Sequence, residues 1–177
     1  MPDPVTVLFL AVTVVILPAL AIRGQKLMAG VETLPRIPLY IETIVVQAIL
    51  LGLSIAVCRK LGIGPLSFPV LQYRDWLAAT VLLSLAVVSM SVAWRFSDSE
   101  HRRFLDLLVP RKRSEMILWT VLSLAAGFGE EMTYRAALPG LLDSFGLPSI
   151  LGGVISAAIF GLAHAVQGWR NTVIIVF

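Results

Sequence analysis

The chain has 177 residues, of which 58% are hydrophobic and only 14% charged, against roughly 25% charged in ordinary soluble domains. Its formal charge of +3 does not make it a nucleic-acid binder, because most of its fourteen Lys and Arg residues fall in short gaps between apolar runs, as membrane topology requires. The single cysteine, Cys58, excludes an intrachain disulfide and reads as packing filler at a helix end beside Arg59 and Lys60.

A helix needs about 20 apolar residues to cross the hydrocarbon core. The first such run is Val5 to Ile22; no Lys or Arg precedes it and no A-x-A site follows it, so it reads as an anchor and not as a removable signal peptide. Pro38 to Val57 and Trp76 to Trp94 are the second and third spans. Glu42 in the second falls close to the interface, and Gln47 reads as a hydrogen bond to a neighbouring helix. In the loop that follows, Ser97 and Glu100 have capping-box spacing and Pro110 ends the run. Phe104, Leu105, Leu107 and Leu108 oppose Arg102, Arg103 and Asp106 there, the pattern of an interfacial connector over about 97–110.

A fourth span runs from about Met116 to Leu142 and a fifth from Leu147 to Val166, joined by the turn Asp143-Ser144-Phe145-Gly146. Arg170 and Asn171 read as interfacial, and Thr172 to Phe177 begins a sixth span. The expectation is an all-α, polytopic transmembrane bundle of five full spans plus a truncated sixth, folded as one integral membrane domain over residues 1–177. Basic residues cluster after the first and third spans (Arg23, Lys26 and Arg36, then Arg95, Arg102, Arg103, Arg111, Lys112 and Arg113). By the positive-inside rule the amino terminus then faces outward and the long third loop faces the cytoplasm.

The fourth span carries GFGEEMTYRAALPG, with Glu130, Glu131 and Arg135 well inside an apolar helix. Each charge at the bilayer centre costs roughly 2.5 to 3.5 kcal/mol on insertion scales, so three together need a reason. Glu131 and Arg135 are four apart with the acid first and can neutralise each other. Glu130 points about 100° away around the helix and is left for another partner or a wet cavity, the setting of a general base. The fifth span carries ISAAIFGLAHAV, where Phe160 and His164 share a face and Gly153, Ala157 and Gly161 form a small-residue stripe about 60° from His164. Taken alone, the histidine reads as a helix–helix hydrogen-bond donor and the Glu–Arg pair as structural. Two glutamates, an arginine and a histidine on consecutive arms of one hairpin read together as a site. Counted from the turn, Glu130 is about 20 Å away and His164 about 27 Å, a mismatch near one helical turn.

At these residues the sequence resembles the CPBP family of intramembrane proteases, which includes CAAX-processing endopeptidases and bacteriocin-processing or immunity relatives. EEMTYR, Glu130 to Arg135, matches the EExxxR motif, and FGLAH, Phe160 to His164, matches FxxxH. The resemblance implies that Glu130 and His164 polarise a water for attack on a scissile carbonyl. It also implies that Glu131 and Arg135 hold the helix and tune Glu130, with Phe160 and Tyr134 supporting the site. The implied partners are the lipid bilayer and a peptide or protein substrate, perceived as a membrane-proximal or lipidated tail, with no nucleic acid. Cofactors are left open: a divalent metal such as zinc has Glu130 and His164 as candidate ligands, one short of the three protein ligands of a catalytic zinc.

The family pattern adds a later helix with a His four residues before an Asn or Asp, which completes the site and helps hold the oxyanion. Nothing in the sequence matches it, since His101 is followed by Leu105 at that spacing. Because the apolar run is cut at Phe177, the expectation is a truncated sequence with little or no activity as it stands. The rival readings are a non-catalytic scaffold or bacteriocin-immunity type of protein, favoured by the missing motif, and then a proton-coupled transporter, for which paired half-helices are lacking.

Overall fold

The computed structural model describes residues 3–28, 31, 33–63, 72–95 and 106–167. All regular secondary structure among them is helical. Two compact units are distinguished, one formed by Met1–Pro65 with Pro110–Phe177 and the other by Leu66–Val109. In the first, α1 runs through Pro4–Leu10, Ala11–Ile16 and Leu17–Met28, and α2 spans Arg36–Lys60. The second unit holds α3, Tyr73–Arg95. The chain returns to the first unit with α4, through Arg113–Glu130, Glu131–Ala137 and Leu138–Ser144, and α5, Ser149–Ala163. Most of the expected interfacial helix, together with His101, Arg170, Asn171 and the closing apolar run, lies outside the described residues.

Helix ends are set by local chemistry. At the start of α1 the Asp3 carboxylate accepts the Thr6 N–H at 3.2 Å, with Pro4 in the first turn where its missing N–H costs nothing. Asp3 also pairs with Lys60, at the far end of α2, so α1 and α2 run antiparallel. At the start of α4 the Glu115 carboxylate accepts the N–H groups of Arg111 at 2.8 Å and Lys112 at 3.3 Å. Arg36 Nη1 lies 4.0 Å from that carboxylate, so α2 and α4 start at the same end and run parallel. The α4–α5 turn closes with Gly146 at φ +86, its N–H on the Asp143 carbonyl at 2.8 Å and the Leu147 N–H on the Leu142 carbonyl at 3.1 Å. That pair of hydrogen bonds around a left-handed glycine is a Schellman cap, and Pro148 then keeps the chain out of helix until Ser149.

Both long interrupted helices contain a wider π turn, and each π turn ends immediately before a Leu-Pro pair. Leu17 N–H reaches back five residues to Val12, ahead of Pro18, and Leu138 N–H reaches back five to Thr133, ahead of Pro139. A proline inside a helix brings no N–H and its ring crowds the carbonyl four residues back. Widening the preceding turn relieves that crowding and keeps the helix continuous.

Pro4–Leu27, of mean hydropathy 2.8, and Arg36–Lys60, of mean hydropathy 2.2, are each long and apolar enough to cross a bilayer. Only 22% of either window is buried inside the protein. Apolar helices with so much surface uncovered are not the core helices of a soluble fold, and Val15, Leu20, Ile49, Ile117, Leu124 and Ile150 are among the outward side chains. Of the expected fifth span, the α-helix proper is Ser149–Ala163, because a 3₁₀ turn takes over at Ala165. Its buried face is Gly152, Ser156 and Gly161 instead of the expected Gly153–Ala157–Gly161 stripe. A Cβ on Gly152 would lie 3.5 Å from Leu142 Cβ, whereas one on Gly153 would meet nothing within 4 Å. The core below the site is Phe9, Val57, Cys58, Tyr134, Ala137, Leu138 and Leu141, which makes Cys58 the packing residue its setting suggests.

Candidate active site

Glu130 is the last residue of the first α-helical segment of α4, and the π turn begins beside it at Glu131. His164 is the cap of α5, with φ −99 and ψ 8 and its N–H on the Gly161 carbonyl at 3.0 Å. Glu130 precedes the end of α4 by fourteen residues (144 − 130), and His164 follows the start of α5 by fifteen (164 − 149). Each is therefore about 21 to 23 Å from the connection. Leu147 and Pro148 belong to the loop and not to the helix, which removes the one-turn mismatch expected from sequence.

The two side chains meet. His164 Nε2 is 3.7 Å from Glu130 Oε1, with His164 20% and Glu130 25% exposed. The other imidazole nitrogen, Nδ1, is 2.9 Å from the Phe160 carbonyl oxygen. A carbonyl can only accept, so Nδ1 carries a hydrogen, and a ring with no second proton presents the Nε2 lone pair towards Glu130. A carboxylate oxygen and a bare imidazole nitrogen facing each other at 3.7 Å share no hydrogen of their own. The arrangement suits a third group that donates to both.

Glu130 is also tied to α2. Gln47 Nε2 donates to Glu130 Oε1 at 3.1 Å, while Gln47 Oε1 is buried with no protein partner. Gly129 creates the room: a Cβ there would sit 2.7 Å from Gln47 Oε1 and 3.2 Å from the Gln47 carbonyl. One turn further, Ser54 Oγ and Thr133 Oγ1 are 2.7 Å apart. One donates to the other, and the second keeps its bond to the carbonyl four residues back, Leu50 or Gly129.

Aromatic packing backs the histidine. Phe160 stands edge-on to His164 with centroids 4.4 Å apart, and Tyr134 packs on Phe160 at 5.0 Å. The Tyr134 hydroxyl is buried without a partner. Its backbone carbonyl accepts from Ser156 Oγ at 2.5 Å. In the π register that carbonyl faces Pro139, which has no N–H, so the α5 serine takes the bond that the proline cannot make.

Glu131 and Arg135 pair with each other, Oε2 to Nε at 3.3 Å, and are 59% and 78% exposed. The i,i+4 pairing read from sequence is present, on a different face of α4 from Glu130. Among the described residues no cluster of three His, Cys, Asp or Glu side chains could hold a metal ion. Gln47 does not complete a ligand set with Glu130 and His164, because its N–H and not its oxygen faces the carboxylate. Among the described residues Glu130 and His164 are then two candidate ligands, one short of the three protein ligands of a catalytic zinc.

Two helices long and apolar enough to cross a bilayer, with one acid and one imidazole meeting between their neighbours, are the features of an all-helical membrane protein. Residues 112–177 match the family model described as type II CAAX prenyl endopeptidase Rce1-like. The matched segment is a little over a third of the chain; it takes in α4, α5 and both motifs, and agrees with the family that EEMTYR and FGLAH resemble. Neither a curated protein nor a solved structure matches the chain.

Proposed function

We infer that the protein is an intramembrane endopeptidase of the CAAX type, hydrolysing a peptide bond in a membrane-proximal or lipidated tail. The observation that carries this reading is the 3.7 Å approach of Glu130 Oε1 and His164 Nε2 in a segment that matches a CAAX endopeptidase family. A water about 2.8 Å from each can donate one hydrogen to the carboxylate and one to the imidazole. As its oxygen attacks the scissile carbonyl carbon, Glu130 takes a proton, the peptide C–N bond then breaks, and the proton passes to the leaving amine. Phe160 has two roles: its carbonyl fixes the tautomer that leaves Nε2 bare, and its ring packs against the imidazole. Glu131 and Arg135 hold their stretch of α4 as a self-neutralised pair and tune Glu130 from the adjacent face. The setting is a bacterial inner membrane with the amino terminus outside and the basic loops on the cytoplasmic side.

The test is cleavage of a prenylated tail peptide by the membrane-inserted protein. Glu130→Gln and His164→Ala should each lower turnover by about 10²- to 10⁴-fold, the range general bases supply, with insertion intact. Wild-type turnover in either variant overturns the assignment.

A further inference from the structure

We propose that Gln47, on α2 and outside the segment that matches the family model, is a positioning residue for Glu130 and makes the site a three-helix construction. The proposal rests on the endopeptidase reading for its consequence in turnover and on geometry for the contact itself. Gln47 Nε2 donates at 3.1 Å to Glu130 Oε1, the same oxygen that lies 3.7 Å from His164 Nε2. A carboxylate on a flexible side chain would otherwise rotate about its last torsion. The amide hydrogen pins one oxygen beside the imidazole and so aims the whole group.

Three further features support a built contact. The amide can be oriented only one way, because its oxygen turned towards the carboxylate would set acceptor against acceptor. That orientation leaves Gln47 Oε1 buried and unpaired, a cost of the kind natural interiors rarely carry without a functional return. And the residue immediately before Glu130 is Gly129, the position at which any Cβ would run into Gln47. α2 and α4 are thus brought close at the one level where the amide must reach the acid. A glutamine chosen only for packing would need neither the unpaired oxygen nor the glycine.

The deciding experiment uses the full chain in phosphatidylethanolamine–phosphatidylglycerol vesicles with wild type, Glu130→Gln, Gln47→Met and Gln47→Glu. Methionine keeps the length and volume of glutamine and removes the donor, so a packing role survives it. A hydrogen bond to a charged group corresponds to roughly a ten- to hundredfold effect. Gln47→Met should lower kcat by that factor at unchanged KM, and Gln47→Glu, which sets like charges together, should lower it further. Independently of turnover, the infrared carboxylate band that Glu130→Gln removes should shift in Gln47→Met. Wild-type kcat and an unshifted band in Gln47→Met overturn the proposal while a dead Glu130→Gln leaves the endopeptidase reading standing. An active Glu130→Gln, or a wild type that cleaves no such peptide, overturns the endopeptidase reading and with it the catalytic part of the proposal; the infrared band still judges the bond.

Discussion

Two neighbouring glutamates on α4 have opposite settings. Glu130 is three-quarters covered, bonded to α2 through Gln47 and set against His164 of α5. Glu131, one residue on, is 59% exposed and satisfied within its own helix by Arg135. An identical side chain is thus a local ion pair on one face and the meeting point of three helices on the other. Chemistry requires the second arrangement, because only a group held from several directions keeps the geometry a reacting water needs. The largest contrast to test is therefore Glu130→Gln against Glu131→Gln in the same cleavage assay. The first should remove about 10²- to 10⁴-fold of turnover, and the loss in the second should be at least about tenfold smaller. Equal losses would mean that the exposed pair acts on the water as directly as Glu130 does.

Next in size is Gly129→Ala, which attacks the covered face without removing a polar atom. Its Cβ would lie 2.7 Å from Gln47 Oε1 and 3.2 Å from the Gln47 backbone oxygen, and the backbone cannot swing aside. α2 and α4 must part by a few tenths of an ångström, at an overpacking cost of about 1 to 3 kcal/mol. The Gln47 donor withdraws with its helix. Turnover should fall about tenfold together with the midpoint of thermal unfolding in detergent, whereas Gly127→Ala, where a Cβ meets nothing within 4 Å, should leave both near wild type. Wild-type values for Gly129→Ala would show that the close approach of the two helices is dispensable.

How much of this is legible in the sequence depends on whether a feature is local. Runs of apolar residues place α1 to α5 to within a few residues at every end except that of α1, which runs on from Ile22 to Met28, and the i,i+4 Glu131–Arg135 pair follows from helical spacing alone. The meeting of Glu130 with His164 was readable because a tight turn makes their helices neighbours. The depth of His164 differs from the expectation for a reason present in the sequence: a residue before proline avoids helix, so Leu147 belongs to the loop. The π turns carry a signal too, a Leu-Pro pair inside an apolar run, but a kinked helix and a widened turn predict the same letters. Gln47 was less accessible. A lone glutamine in mid-span announces a hydrogen bond and not its partner, and the partner is 83 residues away.

The serine that serves the second π turn ranks below the glycine. Ser156→Ala removes the hydroxyl that donates to the Tyr134 carbonyl, in a place where Pro139 offers no N–H. A buried carbonyl left unpaired costs about 1 to 3 kcal/mol, which is a few degrees in the unfolding midpoint for a chain of this size. Turnover should change little as long as α4 and α5 stay packed, because the serine lies two helical turns from His164 and bonds no reacting atom. Pro139→Ala in the same background supplies an N–H and should restore part of the lost stability. No restoration would mean that the π turn does not arise from the proline.

The smallest effect is expected at the bundle end, where Asp3 caps α1 and pairs with Lys60. The hydrogen bond from Lys60 is the main influence holding the Asp3 carboxyl below its ordinary value of 3.8. A carboxyl that binds its proton less readily in the folded chain than in the unfolded one stabilises the fold at every pH above its unfolded value, and that contribution disappears as pH falls through the folded value. Asp3→Asn keeps an oxygen for the Thr6 N–H and removes only the charge. Wild type should therefore unfold slightly above Asp3→Asn at pH 6, and the two midpoints should converge below about pH 4. Glu115, whose carboxyl is lowered chiefly by the Arg111 N–H, titrates in the same direction in both proteins and cancels from the comparison. Because both partners are partly exposed, added salt should also narrow the gap at pH 6. A gap that persists unchanged at pH 3 would assign the role of Asp3 to its capping geometry and not to its charge.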